Sequence, residues 1–184
     1  IRADRLADDD HSSAYTRKYS GYCWATPKVL PRYWQRMPKA LGVDTHAPAF
    51  FYMIGRWLGD GWIRKRKERH DQDLIRICAN IGEADDLEVR LKATGLTWTR
   101  SHHTTTVDVF DLRVASSRML IPWLRFNFGE YASLKTLPAW VYGASEEQRW
   151  ALIEGYHDSD GHESEDGLVG SVSVSRCLAV GMKL

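Results

Sequence analysis

The 184-residue sequence predicts an α+β fold built from two related halves. Three observations carry that prediction. The apolar run "MIGRWLGDG" at 53–61 has helical rhythm and stops at Gly-Asp-Gly. The segment "IEGYHDSDG" at 153–161 echoes it, with Asp60 and Asp160 standing 100 positions apart. From Phe50 onward the elements read helix, two strands, helix, two strands, helix, and then a second copy begins the same way. A period of this size marks duplication of a half-domain rather than a solenoid repeat.

Residues 1–49 show no sustained period and read as an extended lead-in. Phe50 through Leu58 form a helical face that ends at Gly59-Asp60-Gly61. "WIRKRKERH" follows as a basic strand and turn, and "DLIRICANI" (73–81) alternates, Ile75 and Ile77 on one face and Arg76 on the other. "GEADDLEVRLKATGL" (82–96) is a helix with acids in its first turn, Leu87 and Leu91 four apart, and Gly95 as its stop. "TWTRSHHTTTVDVFDLRVAS" reads as two strands; in the second, Phe110, Leu112 and Val114 share one face, and Asp111 and Arg113 the other. "SSRMLIPWLRFNFG" is a short helix interrupted near Pro122, and "SLKTLPAWVYG" is a loop. Ser145 with Gln148 makes a capping box for a helix running through Trp150, Leu152, Ile153 and Tyr156 to Asp160. "GLVGSVSVS" reads as a strand and "SRCLAVGMKL" as a helix start, so the second half is incomplete. The first residue is Ile, and the chain is expected to be a piece of a longer protein.

Composition is that of an ordinary globular protein, 43% hydrophobic and 27% charged, with a net charge of +1. A nucleic-acid binder with this balance must concentrate its positive charge locally. No apolar run approaches the roughly 20 residues of a membrane span, and no signal peptide is read. Cys23, Cys78 and Cys177 form no CxxC pair. They are expected to be free thiols of an intracellular protein.

The chemistry lies at the two helix ends. Gly55 and Gly59 share one stripe, as do Gly155 and Ser159. Small residues on facing stripes let two helix backbones approach, which sets Asp60 beside Asp160. Two carboxylates at the negative ends of two helices repel unless a positive charge joins them. A hard divalent cation, Mg²⁺ or Mn²⁺, answers that demand with oxygen ligands. A single Gly-Asp-Gly after a helix is ordinarily only a cap and turn; the matched doubling argues for more.

These two segments resemble the paired signature motifs of LAGLIDADG (dodecapeptide) homing endonucleases, and the resemblance covers 50–184. It implies pseudo-twofold αββαββα repeats, with a first repeat at 50–143 and the start of a second at 144–184. Each half would lay a saddle-shaped antiparallel sheet in the DNA major groove. It implies that Asp60 and Asp160 bind the catalytic metals, helped by the backbone at Gly59 and Ser159. "LKTLP" matches a family lysine near the active site and maps to Lys135. Leu58 replaces the earlier acid of the consensus in the first motif, whereas Asp158 keeps it in the second. Metal-activated water attacking each strand of a long double-stranded target is the implied chemistry, in a protein that is monomeric when both halves are present. "RADRLADDD" and "WATPKVLP" resemble the segment by which an intein hands over to its endonuclease. With Ile at position 1 and no terminal His-Asn pair, the chain as given is not expected to splice.

"RKRKERH" (64–70) falls where the first DNA-facing hairpin of that family lies. Arg64, Lys65, Arg66, Lys67 and Arg69 would supply phosphate affinity, and Arg76 and Arg113 could reach bases or phosphates. The matching "HESEDG" (162–167) is acidic. That keeps two rivals in view, a binding-only RNA maturase or transcription factor, and a decayed element. His102 and His103 read as surface residues, because neighbours in a strand face opposite ways.

Overall fold

The computed structural model describes residues 41–65, 72–165, 167 and 169–182. At its centre is helix α1 (Pro48–Asp60), in which every residue from Phe50 to Leu58 is buried. Proline at its start costs nothing, since the first helical N–H groups have no intrahelical partner. The helix passes without a loop into strand β1 (Gly61–Arg64). Gly61 has an extended backbone (φ −97°), and a Cβ there would collide with the Trp57 ring and carbonyl. The glycine therefore serves close approach rather than a left-handed turn.

Strands β2 (Leu74–Asn80), β3 (Trp98–His102) and β4 (Val107–Leu112) complete a four-stranded sheet in the order β1-β2-β4-β3, each neighbour antiparallel. One face carries Ile63, Ile75, Ile77, Phe110 and Leu112 into the core. The register sets Trp62, Arg76, Asp111 and Thr99 in one row across the opposite face. Helix α2 (Ile81–Lys92) joins β2 to β3 and buries Leu87 and Leu91; Gly95, at φ +75°, closes the turn that follows. Helix α3 (Val114–Phe128) brings Trp123 and Phe128 into an aromatic cluster with Phe50, Phe51 and Trp140.

Two 3₁₀ turns, Ala132–Leu134 and Ala139–Gly143, occupy the segment read as a loop. Helix α4 (Glu146–Asp160) packs along α1 and starts in a capping box, with Gln148 N–H donating to Ser145 Oγ and Ser145 N–H donating to Gln148 Oε1. The short hairpin β5 (Gly161–Glu163) and β6 (Val169–Ser171) and helix α5 (Arg176–Gly181) follow.

Several expectations are corrected. Strand β4 ends at Leu112, so Val114 opens α3 and Arg113 is its exposed N-cap residue. Pro122 does not interrupt α3; it is exposed, so the hydrogen bond it forfeits lies on the solvent side while Leu120, Ile121, Trp123 and Leu124 hold the buried side. The second half has a strand directly after α4, where only one later strand was expected. Trp150 is 62% exposed although it belongs to the apolar run, whereas Leu152 and Tyr156 are buried against α1. Cys177 is disulfide-bonded, against the expectation of free thiols, and Cys78 is free. Spacing along a chain does not report the Cα separation that a disulfide requires. No helix among the described residues is long and apolar enough to cross a membrane.

Candidate functional site

The α1–α4 interface is built on backbone contact. A Cβ added at Gly55 would overlap the Leu152 carbonyl oxygen and stand 2.7 Å from the Tyr156 amide nitrogen. One added at Gly155 would overlap the Tyr52 carbonyl oxygen and stand 3.1 Å from the Arg56 nitrogen. One added at Gly59 would overlap Ser159 Oγ and stand 3.3 Å from Asp160 Cγ. The four small residues of the two stripes thus meet, and they bring the two acid-bearing helix ends together. Tyr52 tightens the same seam: its hydroxyl donates to Asp158 Oδ2 at 2.6 Å, and burial raises its pKa. Asp158 is therefore engaged at the helix seam.

Both terminal aspartates are pushed up in pKa. Burial raises Asp60 to about 6, opposed by Arg56 and reinforced by the negative charge of Asp160. Burial also raises Asp160, opposed by Lys135 and Arg56. Their backbones are pinned as well: Cys78 Sγ lies 3.6 Å from the Asp60 carbonyl oxygen, and Val172 N–H donates to the Asp160 carbonyl at 3.2 Å.

Two buried cations surround this pair. Arg56 is 1% exposed. Its guanidinium donates to the Asp158 carbonyl on α4 and, at 3.2 Å, to the Cys78 carbonyl on β2, with Nη2 3.7 Å from Asp60 Oδ2. It thereby ties both helices to the sheet. Sequence reasoning passed over Arg56; the available signal was a basic residue four positions before Asp60 inside an otherwise apolar run.

Lys135 is the second cation, and it is 3% exposed. Its Nζ lies 2.7 Å from the Trp57 carbonyl oxygen, 3.0 Å from that of Leu58, 2.8 Å from that of Gly61 and 3.5 Å from that of Gly59. The three short contacts use all three ammonium protons, so Lys135 caps the negative end of α1. Burial lowers its pKa to about 8 while Asp160 and Asp60 act to raise it. It is still charged at neutral pH. Its own carbonyl accepts from Ser175 Oγ at 2.5 Å, and that hydroxyl also accepts from the Leu178 N–H at the start of α5.

The donor set suits a hard cation. It offers two partly buried carboxylates whose charges repel, and the Gly59 carbonyl is the one least engaged by Lys135. Among the described residues no group of three or more His, Cys, Asp or Glu side chains converges. Water and substrate oxygens would have to supply the remaining positions, as Mg²⁺ ordinarily permits.

The expected DNA-binding residues are dispersed. Arg64 is exposed on the outer sheet face beside Trp62. Lys65 is 3.1 Å from Glu130 and donates to the Tyr131 hydroxyl at 2.9 Å. Arg76 pairs with Asp111 on the outer face. Arg113 has left the sheet for the start of α3. Arg66, Lys67 and Arg69 lie outside the described residues. His102 is a surface residue whose Nδ1 bonds the buried Asp108 at 2.5 Å.

No protein-family model matches this chain, and no curated protein matches it significantly.

Proposed function

We propose that this chain carries a site-specific double-strand DNA endonuclease of the LAGLIDADG type, embedded in an intein. The observation that supports this reading best is the pair of glycine-matched helices, in backbone contact, each ending in an aspartate. An α+β half with one face of its sheet turned outward fits the same reading. In it, Asp60 and Asp160 hold Mg²⁺, or Mn²⁺ in its place, with the backbone at Gly59 and Ser159 nearby. When bound, the ion supplies Lewis acidity at a phosphodiester oxygen. Arg56 favours ionised Asp60, and Lys135 fixes the end of α1 and contributes positive potential near the scissile phosphate.

The reading covers an intracellular protein acting on long duplex targets as a pseudo-symmetric monomer. A decayed element without activity is the second reading. It is favoured by the acidic hairpin of the second half, with Glu163 and Glu165 exposed where phosphate contacts are needed. The test is cleavage. Duplexes retained by the chain from a randomised pool are cloned into a supercoiled plasmid and incubated with Mg²⁺ or with EDTA. Linear product that requires Mg²⁺ and disappears in Asp160→Ala supports the nuclease. Retention without cleavage leaves a binding-only or decayed protein.

A further inference from the structure

We infer that Arg76 is a base-reading residue that selects a guanine in the major groove, and that Asp111 and Trp62 hold its guanidinium in the reading pose. This inference rests on the DNA-binding reading above and adds what is read and by which group. Trp62, Arg76 and Asp111 are direct cross-strand partners on β1, β2 and β4. They share the face turned away from Ile75 and Ile77, which are buried in the core.

The guanidinium is held from two sides. Nε and Nη2 of Arg76 both donate to the Asp111 carboxylate, the second at 2.8 Å. The group also sits 5.9 Å from the centre of the Trp62 ring. Nη1 makes no hydrogen bond among the described residues and is not among the buried polar atoms that lack one. The side of the fork that carries Nε is therefore occupied by protein. The Arg76 side chain is 15% exposed, and the end that carries Nη1 and the second proton of Nη2 is the part that Asp111 does not hold.

That end presents two parallel N–H donors. Guanine offers two adjacent acceptors, O6 and N7, in the major groove, and no other base edge does. A planar fork already fixed by a carboxylate loses little conformational freedom on binding. A phosphate contact fixes register and carries no sequence information, so it does not call for a fork matched to one base edge. Arg64, exposed on the same face, fits that second role. The charge of Asp111 would otherwise repel DNA, and pairing with Arg76 neutralises it.

The experiment is a binding selection on a duplex pool randomised over a central window, followed by sequencing of the retained fraction. Wild-type chain is compared with Arg76→Lys and Asp111→Asn, and folding is checked by thermal melts of all three. Wild type should enrich guanine at one position by about tenfold or more, the discrimination of one good bidentate pair. Arg76→Lys keeps the charge and should lose that enrichment while other positions keep theirs. Asp111→Asn should weaken the same position without abolishing overall retention. If guanine enrichment persists in Arg76→Lys, the assignment is overturned and the nuclease reading survives. If wild type retains duplexes without base preference, the assignment again fails alone. If no duplex is retained at all, both fail together.

Discussion

At the scale of single residues, the site is a balance of two buried cations against two partly buried acids. Asp60 has its folded pKa raised from 3.8 to about 6. A raised carboxyl contributes stability that is present below its unfolded pKa and lost as pH rises through its folded pKa. Wild type should therefore lose stability relative to Asp60→Asn between about pH 4 and pH 7. Discounted for the part of the group in contact with solvent, the loss is ~1–2 kcal/mol. Chemical denaturation at the two pH values measures it, and Mg²⁺ should cancel it in wild type only. Lys135 makes a separate prediction. Lys135→Met removes the ammonium donor from the carbonyls of Trp57, Leu58 and Gly61, of which Trp57 keeps the Gly61 N–H, at a cost of about 2–4 kcal/mol. Thermal and denaturant unfolding would register that loss even without metal or DNA. The acids were legible in the sequence because they terminate matched motifs. The burial of Lys135 was not, because a lysine in a loop gives no local sign of the helix end it caps.

At the scale of elements, the decisive feature is the α1–α4 seam. The spacing of Gly55, Gly59, Gly155 and Ser159 was readable as two stripes, and the helices meet along them. A side chain at Gly55 would meet the backbone of α4, which cannot yield as a side chain can. Gly55→Ala should thus destabilise by roughly 2–3 kcal/mol or more, read as a fall in the thermal midpoint. An alanine in an exposed helix position should do the opposite. Where sequence reasoning failed, tertiary packing had overruled a local signal. Alternation carried the second strand of the β3–β4 pair on to Val114, but the helix packing of Leu120, Trp123 and Phe128 claims that residue for α3. Pro122 looked like a break because its position on the exposed side of the helix depends on that same packing.

At the scale of the whole molecule, α1 and α4 receive unequal cover among the described residues. Among the described residues a four-stranded sheet lies with α1, and a hairpin of two three-residue strands follows α4. The two matched helices differ accordingly: Phe50 is 0% exposed, and Trp150, one hundred positions later, is 62% exposed. Matched motifs are legible in the sequence, but the cover each helix receives depends on elements that have no motif. The positive charge is unequal too, with Arg64 and Arg76 on the first sheet and Glu163 and Glu165 at the second hairpin. Under the proposed function, DNA affinity should fall with salt, and Arg64→Ala should reduce the log–log slope by about one. Fluorescence anisotropy across a salt series would show it. An unchanged slope would remove Arg64 from the phosphate-binding set.

The central claim is that the paired ends of α1 and α4 form one divalent-cation site. It is tested most directly by titrating the chain with Mn²⁺ and following free ion by electron paramagnetic resonance. Saturable binding is expected, weakening as pH falls through about 6, to which burial pushes the Asp60 carboxyl. Binding is also expected to be lost in Asp60→Asn and in Asp160→Asn, while both variants stay folded. Binding that survives in the double variant, or an absence of saturable binding in wild type at neutral pH, would contradict it.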